Sequence, residues 1–303
     1  MLLFPLIIIA FLILGAITRE PSSTQTPASG LPTAGPPAVA ATAPPATAII
    51  QLPAQTAVNG MPASSFIILP AGAVENIRTI YARGQASGSN PQAYSKVGDS
   101  TSIHNFMNSF DEGNYNLANY AYLQETLTYF QGSHSRDGLA VSVGLHAWTA
   151  IDPAFADKSV CVANETPVAC EIRLHRPAFI FIRLGTNDAG ATRLFDSSIR
   201  QIADIAIANG VVPIIGTKAD RVEGSNANNE ILRQIAHDYQ IPLWDFDVIV
   251  ETVPGRGVVD KFFHISVPAA YDYAQPATLQ TGHGVHSLTA LMMLDTLRQL
   301  LSQ

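Results

Sequence analysis

Cysteine is nearly absent: two residues among 303, too few for a Cys-rich zinc site or a disulfide-dense miniprotein. The eight histidines are more numerous, but no two stand in an HExxH frame, so no metal and no organic cofactor is implied. Lys and Arg number 17 against 24 Asp and Glu, a formal charge of −7. Without a basic excess there is little to displace the counterions of phosphate, which excludes a nucleic-acid partner. Charged residues of any sign make up only 14% of the chain, and from Pro21 to Val74 there are none.

What fills that uncharged stretch is Ala, Thr and Pro, with nine prolines between Pro21 and Pro62. Such a composition buries too little apolar surface to offset the entropy of ordering, so residues 19–65 are expected to form an extended, disordered stalk, open to O-glycosylation. Ahead of it, Leu2 to Ile17 is an apolar run of 16 residues without a charge. A full membrane span usually needs about 20 residues, so residues 1–18 are expected to be a signal peptide, or a membrane anchor if uncleaved. Either places the protein at the cell surface or outside it, with membrane contact through that segment alone.

Residues 66–303 carry the apolar content of a large domain, 47% for the chain as a whole. Val74, Ile77, Ile80 and Tyr81 fall at helical spacing. Strands are expected at Ala93–Val97, Gly138–Gly144, Ala178–Leu184, Val211–Gly216 and Pro242–Val250. Helices are expected at Asn116–Phe130, at Thr192–Asn209 with Leu194, Ile199, Ile202 and Ile205 on one stripe, at Asn229–Tyr239, and at Ser287–Leu301 behind a Ser cap. Alternation of this kind predicts a three-layer α/β/α sandwich with a parallel, flavodoxin-like sheet. In such sheets ligands bind beyond the carboxyl ends of the strands.

Those ends carry Gly98-Asp99-Ser100, Gly144 and Gly185-Thr186-Asn187-Asp188. A nucleophilic hydroxyl and converging N–H donors are what acyl transfer requires. Singly, each has a plainer reading: Gly-Asp-Ser as a turn, Gly144 as a tight bend, Asn187 as a helix cap. Together and in this order the blocks resemble those of the SGNH (GDSL-type) hydrolases. The resemblance runs from about Val74 to the C-terminus and implies the SGNH hydrolase fold. It is narrower with a group of bacterial surface-associated SGNH-like proteins, through Ser95 to Ser100, the Cys161–Cys170 loop and Thr217-Lys218-Ala219-Asp220. In an exported protein, Cys161 and Cys170 are expected to form a disulfide.

The resemblance implies Ser100 as nucleophile and an oxyanion hole made by the backbone N–H groups of Ser100 and Gly144 and the side-chain amide of Asn187. The family's last block is Asp-x-x-His, the Asp orienting the imidazole. Here Asp260-Lys261-Phe262-Phe263-His264 resembles that block, with Lys261 at the usual Asp position and Asp260 one residue earlier. His264 is therefore expected as base with Asp260 orienting it, and Asp245 and Asp247 are more distant carboxylates. His286, in His283-Gly284-Val285-His286, is the alternative base. Lys218 and Asp220 are possible substrate contacts beyond a strand end.

Two functions follow. The first is an extracytoplasmic serine ester hydrolase whose partner is a small-molecule or glycan acyl ester, such as an acetylated carbohydrate. The second, favoured by Lys261, is a catalytically weakened SGNH-fold module that binds a glycan or wall component.

Overall fold

A strand covered on both faces must be apolar along its length, and Pro177–Arg183 is buried at every position. The computed structural model describes residues 57–259 and 263–302. At its centre, Asn90–Gly98, Pro177–Arg183, Val212–Gly216 and Leu243–Trp244 lie side by side in parallel, in that order. Ile67–Ile68 closes the far edge, antiparallel to Leu243–Trp244. The helices Pro167–His175, Thr192–Ala208 and Ala227–Tyr239 form one layer. Ala73–Ala86 and Gly282–Leu301 form the other, joined by Arg78 donating to the carbonyl of Leu300 at 3.3 Å. The expected three-layer α/β/α architecture is what the chain adopts.

Several expected elements differ in extent. Gly138–Gly144 is not a strand. It touches the sheet through one parallel bridge, Gly98 to Val141, in which Gly98 donates to Ala140 and accepts from Ser142. Its place is nonetheless that of a flavodoxin-like edge strand, because it flanks Gly98 on the side opposite Arg183. The chain thus leaves the 90–98 strand toward one side and returns on the other, a topological switch point. The expected strand Pro242–Val250 pairs only at Leu243–Trp244, since Phe246–Ile249 turns helical. Asn116–Phe130 breaks into Ala118–Leu123, a 3-10 turn, and Gln124–Tyr129. Leu194 is 47% exposed and leaves the expected apolar stripe, while Ile199 and Ile202 are fully buried.

The folded region also begins earlier than residue 66. Ala57–Val58 and Met61–Pro62 pair as a hairpin, with Asn59 and Gly60 at positive φ (51° and 81°), the backbone that favours Asn-Gly in two-residue turns. Val58 and Ala63 are buried in the main core. The expected signal or anchor segment, 1–18, and the expected stalk up to residue 56 lie outside the described residues. No described helix is long and apolar enough to cross a membrane.

Cys161 and Cys170 are joined in a disulfide, with Cα atoms 5.4 Å apart. It closes the loop that leads into Pro167–His175, and a disulfide persists in oxidising compartments. Cross-linking so short a loop removes unfolded-state entropy worth about 2–3 kcal/mol. Replacing both cysteines by serine should therefore lower unfolding free energy by that order, read in a denaturant titration under oxidising conditions. Non-reducing mass spectrometry should find neither thiol alkylatable in the unmodified chain.

Candidate active site

The Asn90–Gly98 strand ends in a turn built by Asp99. Its Oδ1 accepts from the backbone N–H of Thr101 at 2.9 Å and from the Thr101 hydroxyl at 2.7 Å, capping the 3-10 turn Ser100–Ser102. Gly98 is required beneath it: a Cβ there would stand 2.2 Å from Ser102 Oγ. Ser100 is left partly exposed at the lip of the sheet while Asp99 and Thr101 are buried.

Because Gly98 is in register with Arg183 on one side and bridged to Val141 on the other, the residues that follow these three leave the sheet together. Gly144, at φ 74°, has nothing among the described residues within 4 Å of where a Cβ would be. Asn187 Nδ2 donates to the carbonyl of Leu145 at 3.2 Å, which ties the 185–188 loop to the Gly144 turn. A side-chain amide has two hydrogens, so this bond leaves one for a ligand. Asp188, buried, accepts from Ala147 N–H at 3.1 Å and faces His146 Nδ1 at 3.6 Å. Burial raises its carboxyl above the ordinary range, against the Ala147 N–H and His146.

The segment that leads to the Gly144 turn is held at its start by Glu171. This fully buried carboxylate accepts from Ser95 Oγ at 2.6 Å, from Arg136, and from Leu139 N–H at 2.7 Å. It therefore couples the 90–98 strand to the segment that carries Gly144. Lys96 is buried as well, its ammonium donating to the carbonyls of His134 at 2.8 Å and Phe106 at 3.3 Å. Burial pushes it down to about 8.

Lys218 and Asp220 are not placed to meet a substrate. Lys218 is fully buried, bonded to Asp220 at 2.8 Å and Glu223 at 2.6 Å. Asp220 in turn accepts from the Thr186 hydroxyl at 2.8 Å, so the pair braces the loop of Asn187 from behind. Asp245 and Asp247 are likewise engaged elsewhere. Arg233 donates to both, at 2.8 and 2.5 Å, and Arg221 and Arg256 also pair with Asp247. Although burial opposes it, hydrogen bonds from Arg233, Asn226, Arg221 and Arg256 hold the Asp247 carboxyl at about 2.

The final helix starts at Gly282, capped by the Thr281 hydroxyl, and not at Ser287. His286 therefore lies inside its second turn, fully buried, with ring centroids of Phe106, Phe246 and Trp244 at 4.4, 4.7 and 4.8 Å. Neither ring nitrogen has a hydrogen-bond partner among the described residues. An imidazole in that cage cannot reach a solvent-borne ester, and His286 is set aside as alternative base. His264 is exposed, its ring against Phe263. Its segment is pinned by Ser266, whose Oγ accepts from Gly282 N–H at 2.8 Å and whose carbonyl accepts from His283 N–H at 2.8 Å. Upstream, Arg256 Nε donates to Ala219, which brings this stretch to the carboxyl end of Val212–Gly216. Asp260 and Lys261 lie outside the described residues.

Sequence reasoning missed Arg183, Glu171 and His146. Arg183 was the one charge in an otherwise apolar strand, and a buried arginine calls for partners. Its guanidinium donates to Thr101 Oγ1 and lies 5.5 Å from the Phe246 ring centroid. Burial lowers its basicity, while the charges of Asp99 and Asp220 raise it.

No protein-family model matches the chain, and no curated protein matches it. Among solved structures it is similar to the X-ray crystal structure of protein YXIM_BACsu from Bacillus subtilis, at 13% identity and a TM-score of 0.40. The match covers 67% of this chain and 55% of the other, so the chain spans about half the length of that protein.

Burial pushes His283 down to about 3 and His286 well below the ordinary imidazole range, with Arg183 adding to both shifts. In the unfolded chain both protonate near pH 6.5, at about the reference value. Below that pH the unfolded chain binds more protons than the folded one, so stability falls as pH falls, by up to about 1.4 kcal/mol per pH unit for each imidazole. Urea titrations between pH 7 and pH 5 should show a loss on the order of 3 kcal/mol. His286→Leu should remove roughly half of that slope, and an unchanged slope would show that the imidazole protonates in the folded state.

Proposed function

We propose that the chain is a serine ester hydrolase acting outside the cytoplasm on an acyl ester, such as an acetylated carbohydrate, with Ser100 as nucleophile and His264 as base. The reading is supported by one observation: Gly98 lies between Val141 and Arg183, and Ser100, Gly144 and Asn187 each follow one of these three residues by two to four positions in the chain. The Cys161–Cys170 disulfide, the apolar run Leu2 to Ile17 and the uncharged sequence from Pro21 to Val74 support the location.

In this mechanism Ser100 Oγ attacks the ester carbonyl carbon as His264 takes the hydroxyl proton. The carbonyl π pair moves onto oxygen, which is received by the N–H groups of Ser100 and Gly144 and by the free hydrogen of Asn187. Collapse of the tetrahedral intermediate breaks the bond to the alcohol, which leaves with the proton from His264. Water, deprotonated by the same imidazole, then releases the acid from Ser100. A binding module without turnover is the second reading, favoured by Lys261 at the position of the family's Asp.

A fluorophosphonate probe should label Ser100 in the unmodified chain, and p-nitrophenyl acetate should be hydrolysed. Ser100→Ala should abolish both while leaving the melting temperature nearly unchanged. Asn187→Ala should lower kcat by about 10²–10³, the usual effect of removing one oxyanion donor. His264→Ala should silence the enzyme. A wild-type chain that neither reacts nor turns over belongs to the second reading.

A further inference from the structure

The segment that leaves the Gly144 turn carries surface that the ester-cleaving groups do not use. Val143 is 79% exposed and Phe155 53% exposed. Trp148, between them in the sequence, is partly exposed, its ring centroid 5.2 Å from that of Phe155 and nearly perpendicular to it. The His146 ring lies 6.1 Å from the Trp148 ring, tilted by 33°. His146 keeps 40% of its side chain open to solvent while its Nδ1 faces the buried carboxylate of Asp188. A two-ring aromatic corner with a polar edge therefore adjoins the Gly144 turn.

We propose that this corner is a saccharide subsite, in which a pyranose ring lies with its apolar face on one of the two rings, Trp148 or Phe155, and its edge against the other, while its hydroxyls bond to His146. The proposal rests on the hydrolase reading for its link to turnover, and makes the sugar the alcohol part of the ester. The alternative occupant, a long acyl chain, is disfavoured by the polar edge. Covering an imidazole held by a carboxylate with hydrocarbon strips it of water and returns no hydrogen bond. A sugar replaces that water with its own hydroxyls and still offers an apolar face to the rings. Sites that combine aromatic walls with a few polar groups fix ligand orientation in this way.

The chain has two tryptophans, and Trp244 is fully buried, so a ligand-induced change in tryptophan fluorescence reports on Trp148. The full chain is titrated with xylotetraose, cellotetraose and chitotetraose, and separately with decanoate. At least one saccharide should give a saturable change and decanoate none. His146→Ala and Phe155→Ala should each raise the midpoint fivefold or more. Phe155 is exposed enough that its removal leaves the fold intact. A response to decanoate alone, no response to any sugar, or saccharide binding indifferent to both variants overturns the subsite. With acetylated xylotetraose and p-nitrophenyl acetate as competing substrates, Trp148→Ala should lower the ratio of their kcat/KM values at least tenfold, and an unchanged ratio likewise refutes it. Sugar binding that persists while Ser100 neither labels nor turns over sinks the hydrolase reading and leaves the subsite standing.

Discussion

Everything at the candidate site depends on the two-sided pairing of Gly98. On one edge it exchanges hydrogen bonds with Ala140 and Ser142, and on the other it runs in register with Arg183. A single residue thereby sets the relative height of three segments that are far apart in sequence. The tolerance is small, because a parallel register slips only in whole residues and each slip turns a side chain to the opposite face. Glu171 reinforces the weaker edge, where one bridge stands in for a strand, by clamping Ser95 and Leu139 with one carboxylate.

Beneath that lip the core between the sheet and the last helix buries two cations, Arg183 and Lys96, beside His283 and His286, which burial holds against protonation. The negative charges that act on Arg183, Asp99 and Asp220, belong to the turns that follow strand ends, while Asp137, Asp111 and Glu171 act on Lys96. The Arg183 charge is thus compensated from the carboxyl ends of the strands. Losing an acidic turn residue would leave a buried cation uncompensated, a larger penalty than the loss of a surface pair.

Much of this was legible in the sequence, for physical reasons that differ by element. Ala178–Leu184 and Thr192–Asn209 are long and strongly patterned, so periodicity located them to within a residue or so. Gly138–Gly144 was misjudged because its alternation satisfies a strand pattern, while its pairing capacity is taken up by one bridge and a side-chain clamp from Glu171. Pro242–Val250 is apolar enough for a strand, yet Asp245 and Asp247 bond to Arg233 in a helical turn. Ser100, Gly144 and Asn187 could be expected beyond the sheet because backbone position follows from where a strand ends. The loss of His286 to the core was not legible, since Gly-Val-His ahead of a helix looks the same whether the helix starts before or after it. Asn59-Gly60 was a readable hairpin signal hidden by the composition around it.

That hairpin has a mechanical consequence. The Asn59 amide donates to Thr252 Oγ1 and to the carbonyl of Leu279, and the carbonyl of Ala57 accepts from the Tyr120 hydroxyl. Tension applied on the amino-terminal side of Ala57 meets these three cross-links to separate parts of the fold before it reaches Ile67–Ile68. The load is shared among distant segments and does not peel the outermost strand from the sheet.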